Sequence, residues 1–170
     1  RHYKEVGAPW PFIVFAWGEG KQTTRIFPFY SHSRNASLES SFILWPIWKY
    51  NALHAETLDR RRSRVMWFLY SHTIEENRDT GAFRRRDDFW PLYTYRREMD
   101  GRRRLQVLAP LEPFLPNIDS VERDYSPLWS IWRSESNPVT GRRSHSLLWN
   151  LYRQETTTTT RKGSLLFGLF

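Results

Sequence analysis

The sequence predicts an all-β protein, an antiparallel up-and-down meander of about nine strands, and three observations lead to this fold class. An aromatic repeat of about twenty residues runs along the 170-residue chain. Reverse-turn residues lie midway between successive repeats, so neighbouring repeats are expected to run in opposite directions. Proline stands in the centre of the apolar segments, and no apolar stripe of helical period persists, which argues against helices.

The repeat is most visible where YSPLWSIWRSE at residues 125–135 returns as HSLLWNLYRQE at 145–155. We align the repeats on their central proline, or on the residue in its place, and call this position the anchor. Successive anchors are 17 to 23 residues apart, which indicates connections of different length. The nine anchors are Pro11, Pro28, Pro46, Phe68, Pro91, Pro110, Pro127, Leu147 and Leu165.

The midpoints between anchors carry the residues that reverse turns require. The Asp-Gly pair at 100–101 is the strongest short-range signal of a hairpin, and its register places Pro91 opposite Pro110. The same register places Glu98 opposite Arg103. Turns are therefore expected near residues 19, 36, 79, 100, 118 and 138, whereas the midpoints near residue 57 and at 156–160 lack Gly, Pro and Asn.

If every midpoint is a turn, each anchor is expected near the middle of a strand. Aromatic residues recur one position before the anchor and two positions after it, and these positions point to opposite faces because side chains alternate along a strand. The first row comprises Trp10, Phe27, Trp45, Trp67 and Trp90, and the second comprises Tyr30, Trp48, Tyr70, Tyr93, Trp129, Trp149 and Phe167. The apolar part of a repeat is about 26 Å long, close to the apolar band of an outer-membrane barrel. Since both faces are apolar there, a barrel-like sheet and a two-layer sheet both remain open.

The excess of basic residues predicts an anionic partner. Lys and Arg number 26 against 18 Asp and Glu, which gives a net charge of +8 and a pI near 10.1. Such a balance suits nucleic acid, anionic lipid or lipopolysaccharide. The arginine runs are candidate anion-binding residues, and the alternative is that they are charged strand ends paired with nearby carboxylates. The candidates are Arg60, Arg61, Arg62, Arg84, Arg85, Arg86, Arg102, Arg103 and Arg104.

Residues with catalytic or metal chemistry are sparse. The chain has no Cys, which excludes disulfides, thiolate nucleophiles and Cys-ligated metal sites. His32 and His72 share one repeat position but lie two repeats apart, so they are not expected to form a metal pair. The adjacent carboxylates at 75–76 and 87–88 point to opposite faces of a strand and cannot act as one acid–base couple. With no phosphate loop or dinucleotide fingerprint in the sequence, we expect no enzyme activity, no cofactor and no metal.

The stretches WPLYTYRREMDGRRRLQVLAPLEPFLPN, YSPLWSIWRSE and SLLWNLYRQE resemble a group of large, uncharacterised repeat proteins of Gram-negative bacteria, built from many Trp-Pro-Leu-Phe/Tyr units. The resemblance covers nearly the whole chain. It implies a secreted or envelope-associated β-repeat protein, of which residues 1–170 form one segment near the C-terminal end, and it carries over no activity, cofactor or site residue. The repeat APLEPFLP departs from the pattern in having Pro110, Pro113 and Pro116, and Glu112 in place of the usual aromatic. A break in the sheet or a special site is expected there.

These observations predict a non-enzymatic structural protein of the bacterial outer envelope, either an outer-membrane barrel or a surface scaffold. Its expected partners are adjacent repeats of the same chain and lipid or lipopolysaccharide. The expected location is the outer membrane, the cell surface or the periplasm of a Gram-negative bacterium. The alternative is a binding module for anionic glycolipid or polysaccharide, and nucleic-acid binding by stacking between arginine rows is the less favoured one.

Overall fold

The fold is all-β and antiparallel, as predicted. The computed structural model describes residues 3–9, 12–18, 20–114 and 129–166, and these ranges contain fifteen strands and one short 3₁₀ helix. The chain divides into two compact units, an N-terminal unit at Arg1–Phe83 and a C-terminal unit at Arg84–Phe170. None of the described residues belongs to a helix that is long and apolar enough to cross a membrane.

Within each unit, strands that are consecutive in sequence pair with each other, which makes each unit a meander. The strands of the N-terminal unit are β1 (Tyr3–Gly7), β2 (Ile13–Gly18), β3 (Lys21–Ile26), β4 (Tyr30–Asn35), β5 (Leu38–Ile43), β6 (Trp48–His54), β7 (Leu58–Val65) and β8 (Tyr70–Asn77). Those of the C-terminal unit are β9 (Phe83–Phe89), β10 (Tyr93–Arg97), β11 (Arg103–Val107), β12 (Trp132–Asn137), β13 (Arg142–Leu147), β14 (Tyr152–Thr156) and β15 (Arg161–Leu165), with the 3₁₀ helix Glu112–Phe114 after β11.

The prediction of about nine strands is wrong, because each repeat forms a hairpin rather than one strand. Among the described anchors, Leu147 and Leu165 are the last residues of β13 and β15, and the others lie in turns, with Pro28 between β3 and β4, Pro46 between β5 and β6, and Pro91 between β9 and β10. Their Xaa-Pro bonds are cis. Phe68 likewise lies in the turn between β7 and β8. Proline cannot donate to a sheet ladder, and none of the prolines in the described ranges lies within a strand.

The midpoints are turns as well, so turns alternate between the two ends of each sheet. They connect β4 to β5 at residues 36–37, β8 to β9 at 78–82 and β12 to β13 at 138–141. The midpoints without Gly, Pro or Asn also turn, at 55–57 and 157–160. The turn expected near residue 19 falls between the end of β2 at Gly18 and the start of β3 at Lys21, and residue 19 itself lies outside the described residues. The turn expected near 118 and the anchors Pro11 and Pro127 lie outside the described residues.

The hairpin between β10 and β11 has a register one residue away from the predicted one. Arg97 pairs with Arg103, so Glu98 is not opposite Arg103. Instead the backbone N–H of Glu98 donates to the carbonyl of Arg102 at 2.8 Å, which leaves residues 99–101 as the loop. A two-residue type I′ turn needs positive φ at both central positions, and in this loop only Gly101 has it, with φ 84°.

The same shift affects the anchors of this hairpin. Pro91 and Pro110 lie beyond the paired residues of β10 and β11. Continuing the register places Pro91 opposite Ala109, so the prediction that the two prolines are opposite each other is wrong by one residue.

The two aromatic rows lie on opposite faces in the N-terminal unit, but at one end of the strands rather than at mid-height. One face carries a continuous apolar row across the strands, which comprises Ile13, Ile26, Tyr30, Ile43, Trp48, Val65 and Tyr70. On the other face, the ring of Phe27 contacts that of Phe42, whose side chain points away from Ile43. Trp10 and Phe167 lie outside the described residues.

Neither aromatic row is covered by protein. Tyr30 and Trp45 are each 41% exposed, and Trp67 is 57% exposed. The apolar side chains that are fully buried in the described ranges are small, namely Val14, Ala16, Ala52 and Ala109. All described strands of each unit belong to one sheet, whose two faces keep exposed aromatic and aliphatic side chains.

Candidate functional site

The arginine runs predicted from the sequence are largely occupied by carboxylates. Seven of the nine candidates form ion pairs of 2.6 to 3.0 Å, which are Arg60–Glu75, Arg61–Asp59, Arg84–Glu98, Arg85–Asp87, Arg86–Asp88, Arg102–Asp100 and Arg104–Glu135. Glu75 lies directly opposite Arg60, and Glu135 directly opposite Arg104. Opposed pairs of this kind contribute about 0.2 to 1 kcal/mol each. These contacts match the alternative explanation of the runs as charged strand ends.

Side-chain alternation also divides each run between the two faces of its sheet. In β7, Arg61 points to the face opposite that of Arg60 and Arg62, so the three do not form one patch. Strand pairing instead aligns arginines from different runs. Arg85, Arg97 and Arg103 lie in one row across β9, β10 and β11.

The anchor turns of each unit lie side by side along one edge of its sheet, which we call the anchor edge. Backbone hydrogen bonds join neighbouring turns. In each case a backbone N–H at the start of one turn donates to a backbone carbonyl at the end of the preceding turn or connection. These bonds are Leu44 to Phe29 (2.6 Å), Met66 to Ile47 (2.8 Å), Leu148 to Ile131 (2.6 Å) and Leu166 to Leu151 (2.8 Å). The ladder of the sheet therefore continues through the turns, and the anchor edge is an ordered surface.

The anchor edge contains all the left-handed backbone positions that are not glycine in the described ranges. Positive φ occurs at Leu44, Met66, Trp67, Leu108, Leu148, Trp149, Asn150 and Leu166. Such a conformation costs an L-residue about 1–2 kcal/mol, whereas glycine adopts it freely. All of these residues except Asn150 nevertheless have large apolar side chains, and these side chains are exposed. Stability alone would favour glycine at these positions.

On one face of the N-terminal unit, beside the anchor edge, the rings of successive anchor turns form a row. The ring centroids of Phe27 and Trp45 are 5.7 Å apart, and those of Trp45 and Trp67 are 5.6 Å apart. These rings line two neighbouring hollows of about 330 and 250 Å³, and Trp45 lines both. We call the two hollows together the aromatic–cationic groove, for the rings and for the basic side chains described next.

Three basic side chains, Arg25, Lys49 and Arg64, border the aromatic–cationic groove. Lys49 lies directly opposite Arg64 on the neighbouring strand, and directly opposite Phe42 on the other side. None of the three cations forms an ion pair with a carboxylate of the described residues. The Nε atom of Arg25 is shielded from solvent and has no hydrogen-bond partner there. Since like charges that face each other across strands are destabilising, the groove is a place where an anion would be stabilised.

Sequence reasoning missed these three cations. Arg25 and Lys49 belong to no basic run, and Arg64, which ends the run RRRSR at 60–64, is not among the predicted candidates. Only strand pairing brings them together. A weak signal was present, because Arg25 precedes its anchor by three residues and Lys49 follows its anchor by three.

The departure from the repeat at APLEPFLP forms a second polar cluster, within the C-terminal unit. The 3₁₀ helix lies in the connection between β11 and β12, which still pair with each other, so the expected break in the sheet does not occur; Glu112 at the start of the helix is 1% exposed. Its Oε2 accepts a hydrogen bond from Nε1 of Trp129 at 2.8 Å, and its Oε1 lies 3.5 Å from Nη2 of Arg96. Arg86 donates to the Glu112 carbonyl at 3.3 Å. The contacts of Glu112 are thus made with other residues of the same unit, which fits a structural role. Pro116, the third proline of this repeat, lies outside the described residues.

Metal-binding geometry is not present in the described ranges, where no group of three His, Asp or Glu side chains could hold an ion. His32 and His72 lie in one cross-strand row, four strands apart, which corresponds to about 19 Å. Nδ1 of His32 instead shares a hydrogen bond of 2.8 Å with the Ser41 hydroxyl.

Comparisons with protein-family models, with curated proteins and with solved structures found no match for this chain. Its own geometry is therefore the basis for assigning a function.

Proposed function

We propose that the chain is a non-enzymatic structural segment of a β-repeat protein of the bacterial outer envelope, and that its anchor edges lie against lipid. One observation carries the proposal. Positions with a costly left-handed backbone hold exposed leucine, methionine and tryptophan side chains where glycine would be more stable. Strain of this kind is concentrated at functional sites, and contiguous exposed apolar surface marks contacts with another apolar body.

The opposite edge of each unit has a different chemistry, which supports a defined orientation. The midpoint turns are rich in Asp, Gly and Thr and are preceded by Asn at three strand ends, and the ion pairs Arg84–Glu98 and Arg142–Glu155 lie close to them. Each unit is therefore amphipathic along its strands, with an apolar anchor edge and a charged opposite edge. A body with this polarity can place its apolar edge in the interfacial layer of a membrane and keep the other edge in water.

Strand length favours a surface scaffold over the outer-membrane barrel that the sequence left open. A strand that crosses a bilayer needs about 9–11 residues. The longest described strands, β7 and β8, have eight residues each. Contact through the anchor edge needs neither a closed barrel nor a second sheet layer. The proposed location is accordingly the lipid surface of the outer envelope, with adjacent repeats of the same chain as further partners.

Vesicle flotation tests this proposal. The purified chain should float with vesicles of phosphatidylethanolamine and phosphatidylglycerol. A variant with Met66, Trp67, Leu148 and Trp149 all changed to serine should bind at least about tenfold more weakly, because burying each large side chain contributes on the order of 1–2 kcal/mol.

The control is Val139→Ser, which removes an apolar side chain that is 77% exposed but lies in a midpoint turn. This variant should float like the unsubstituted chain. Circular dichroism should show that both variants keep their β-structure. Flotation of the fourfold variant at the level of the unsubstituted chain, or no flotation of either, would contradict the proposal.

A further inference from the structure

We propose that the aromatic–cationic groove of the N-terminal unit binds a sugar that carries a phosphate or carboxylate group. The groove opens on a face of the sheet beside the anchor edge, and Trp67 belongs to both, but the proposed ligand contacts involve Arg25, Lys49 and Arg64 on the strands. The inference therefore does not depend on contact between the anchor edge and lipid, and it is tested without a membrane.

The aromatic side of the groove suits a saccharide ring. The larger hollow, of about 330 Å³, is within the size range of small-ligand sites, which combine aromatic walls with a few polar groups. Trp45 is shared by both hollows and remains half-exposed, so a flat apolar face is available to a ligand. The C–H face of a pyranose ring can pack on such an indole while its hydroxyl groups stay in water.

The basic side of the groove supplies the charge for an acidic group on that sugar. Lys49 lines both hollows, with Arg25 beside the larger one and Arg64 beside the smaller one. Arginine binds phosphate or carboxylate through two parallel hydrogen bonds, and lysine acts as a point charge. Seven of the nine arginines in the predicted runs already have carboxylate partners, whereas these three cations form no ion pair with the described residues. An acidic ligand would supply that partner.

Ring geometry favours a sugar over a single-stranded nucleic acid. The planes of Phe27 and Trp45 are inclined by 46°, and those of Trp45 and Trp67 by 60°. Successive bases of a single strand bind by stacking on the faces of aromatic rings. The inclined rings of the groove instead form separate walls, each of which can contact one sugar unit.

Isothermal titration of the full chain tests the proposal. The probe is the phosphorylated glucosamine oligosaccharide released from lipopolysaccharide by deacylation, and neutral dextran and a single-stranded oligonucleotide serve as comparison ligands. Lys49→Gln should weaken binding of the phosphorylated oligosaccharide by about tenfold, as expected for the loss of one charged contact. Trp45→Ala should weaken it to a similar extent.

Two matched variants serve as controls. Lys162→Gln removes an exposed lysine of the C-terminal unit, and Trp17→Ala removes a half-exposed indole on the other face of the N-terminal sheet. Both should change the affinity less than about twofold. An unchanged affinity for Lys49→Gln, equal binding of neutral dextran, or tighter binding of the oligonucleotide would overturn the proposal. Intact lipopolysaccharide separates the two natural sources of such a sugar, because binding that is tighter than that of the deacylated form and is weakened by Lys49→Gln would indicate a glycolipid, and equal binding a polysaccharide.

Discussion

Trp129 donates a hydrogen bond from its indole Nε1 to Oε2 of Glu112, 2.8 Å away, and this bond links the two ends of the connection between β11 and β12. This connection is the longest between consecutive described strands, and the Glu112 carboxylate is almost completely buried. A carboxylate in that position requires opposite charge, which Arg96 provides at 3.5 Å. The 3₁₀ helix that departs from the repeat is therefore held against the sheet by a buried ion pair and hydrogen bond rather than by apolar packing.

Removal of that buried charge should destabilise the chain. Glu112→Ala leaves Arg96 without its buried carboxylate, and breaking a buried pair in this way costs about 3–5 kcal/mol. The control is Glu98→Ala, which removes the partner of Arg84 in an exposed pair and should cost about 0–1 kcal/mol. Urea denaturation measures both. Equal losses for the two variants would mean that Glu112 does not hold the connection in place.

The repeat period and the fold class could be predicted from the sequence, but the role of the anchor could not. Turn chemistry identified the midpoints because Gly, Asn and Asp mark reverse turns. The turn Met66-Trp67-Phe68-Leu69 contains none of these residues, and an apolar run is ordinarily a sign of a buried strand. Two of its residues adopt positive φ, which local sequence rules disfavour for large side chains. The Met66 N–H donates to the carbonyl of Ile47 in the neighbouring turn, a contact between turns that local sequence rules do not include.

The aromatic–cationic groove was beyond sequence reasoning for a different reason. Lys49 and Arg64 are neighbours only because β6 and β7 pair in one particular register. A shift by one residue would send either side chain to the other face. The hairpin at Gly101 illustrates the difficulty, since a loop one residue longer than expected displaced every predicted pair.

In three midpoint turns an asparagine side chain accepts hydrogen bonds from the turn backbone, and removal of this side chain should destabilise each hairpin by a similar amount. The last residue of β4, β8 and β12 is asparagine, and Oδ1 of each accepts hydrogen bonds from the backbone N–H groups two and three residues later. Asn35→Ala and Asn137→Ala should each lower the free energy of unfolding by about 0.5–1.5 kcal/mol, the typical net value of a hydrogen bond. Asn35→Asp keeps the acceptor and should cost less than Asn35→Ala. Thermal unfolding decides this, and equal losses for alanine and aspartate would rule out the acceptor as the cause.

Acid should remove the contribution of Glu135 to stability. Burial raises the pKa of the Glu135 carboxyl, but the charges of Arg133 and Arg104 lower it by a larger amount. The pKa of Glu135 is therefore below its ordinary value of 4.5. A carboxylate with a depressed pKa stabilises the fold fully above its unfolded-state pKa, and this contribution is lost as pH falls through the folded value. Glu135→Gln should therefore be less stable than the unsubstituted chain at pH 7, by about 1–3 kcal/mol. The difference should shrink below about pH 4.5. Urea titrations at pH 7 and pH 3 measure it, and a gap that does not change with pH would exclude the charge of Glu135 as its source.

The two methionines of the chain allow the strain of the anchor edge to be measured. Met66 lies in an anchor turn with φ 46° and a half-exposed side chain, whereas Met99 lies in a midpoint turn outside the left-handed region. Met66→Gly relieves the left-handed strain and should raise the free energy of unfolding by about 0.5–1 kcal/mol. Met99→Gly gains no such relief and should lower it by about the same amount, because glycine is more flexible in the unfolded chain. Chemical denaturation of the two variants measures the difference. If Met66→Gly destabilises the chain as much as Met99→Gly does, the methionine side chain stabilises the turn itself and is not retained for an external contact.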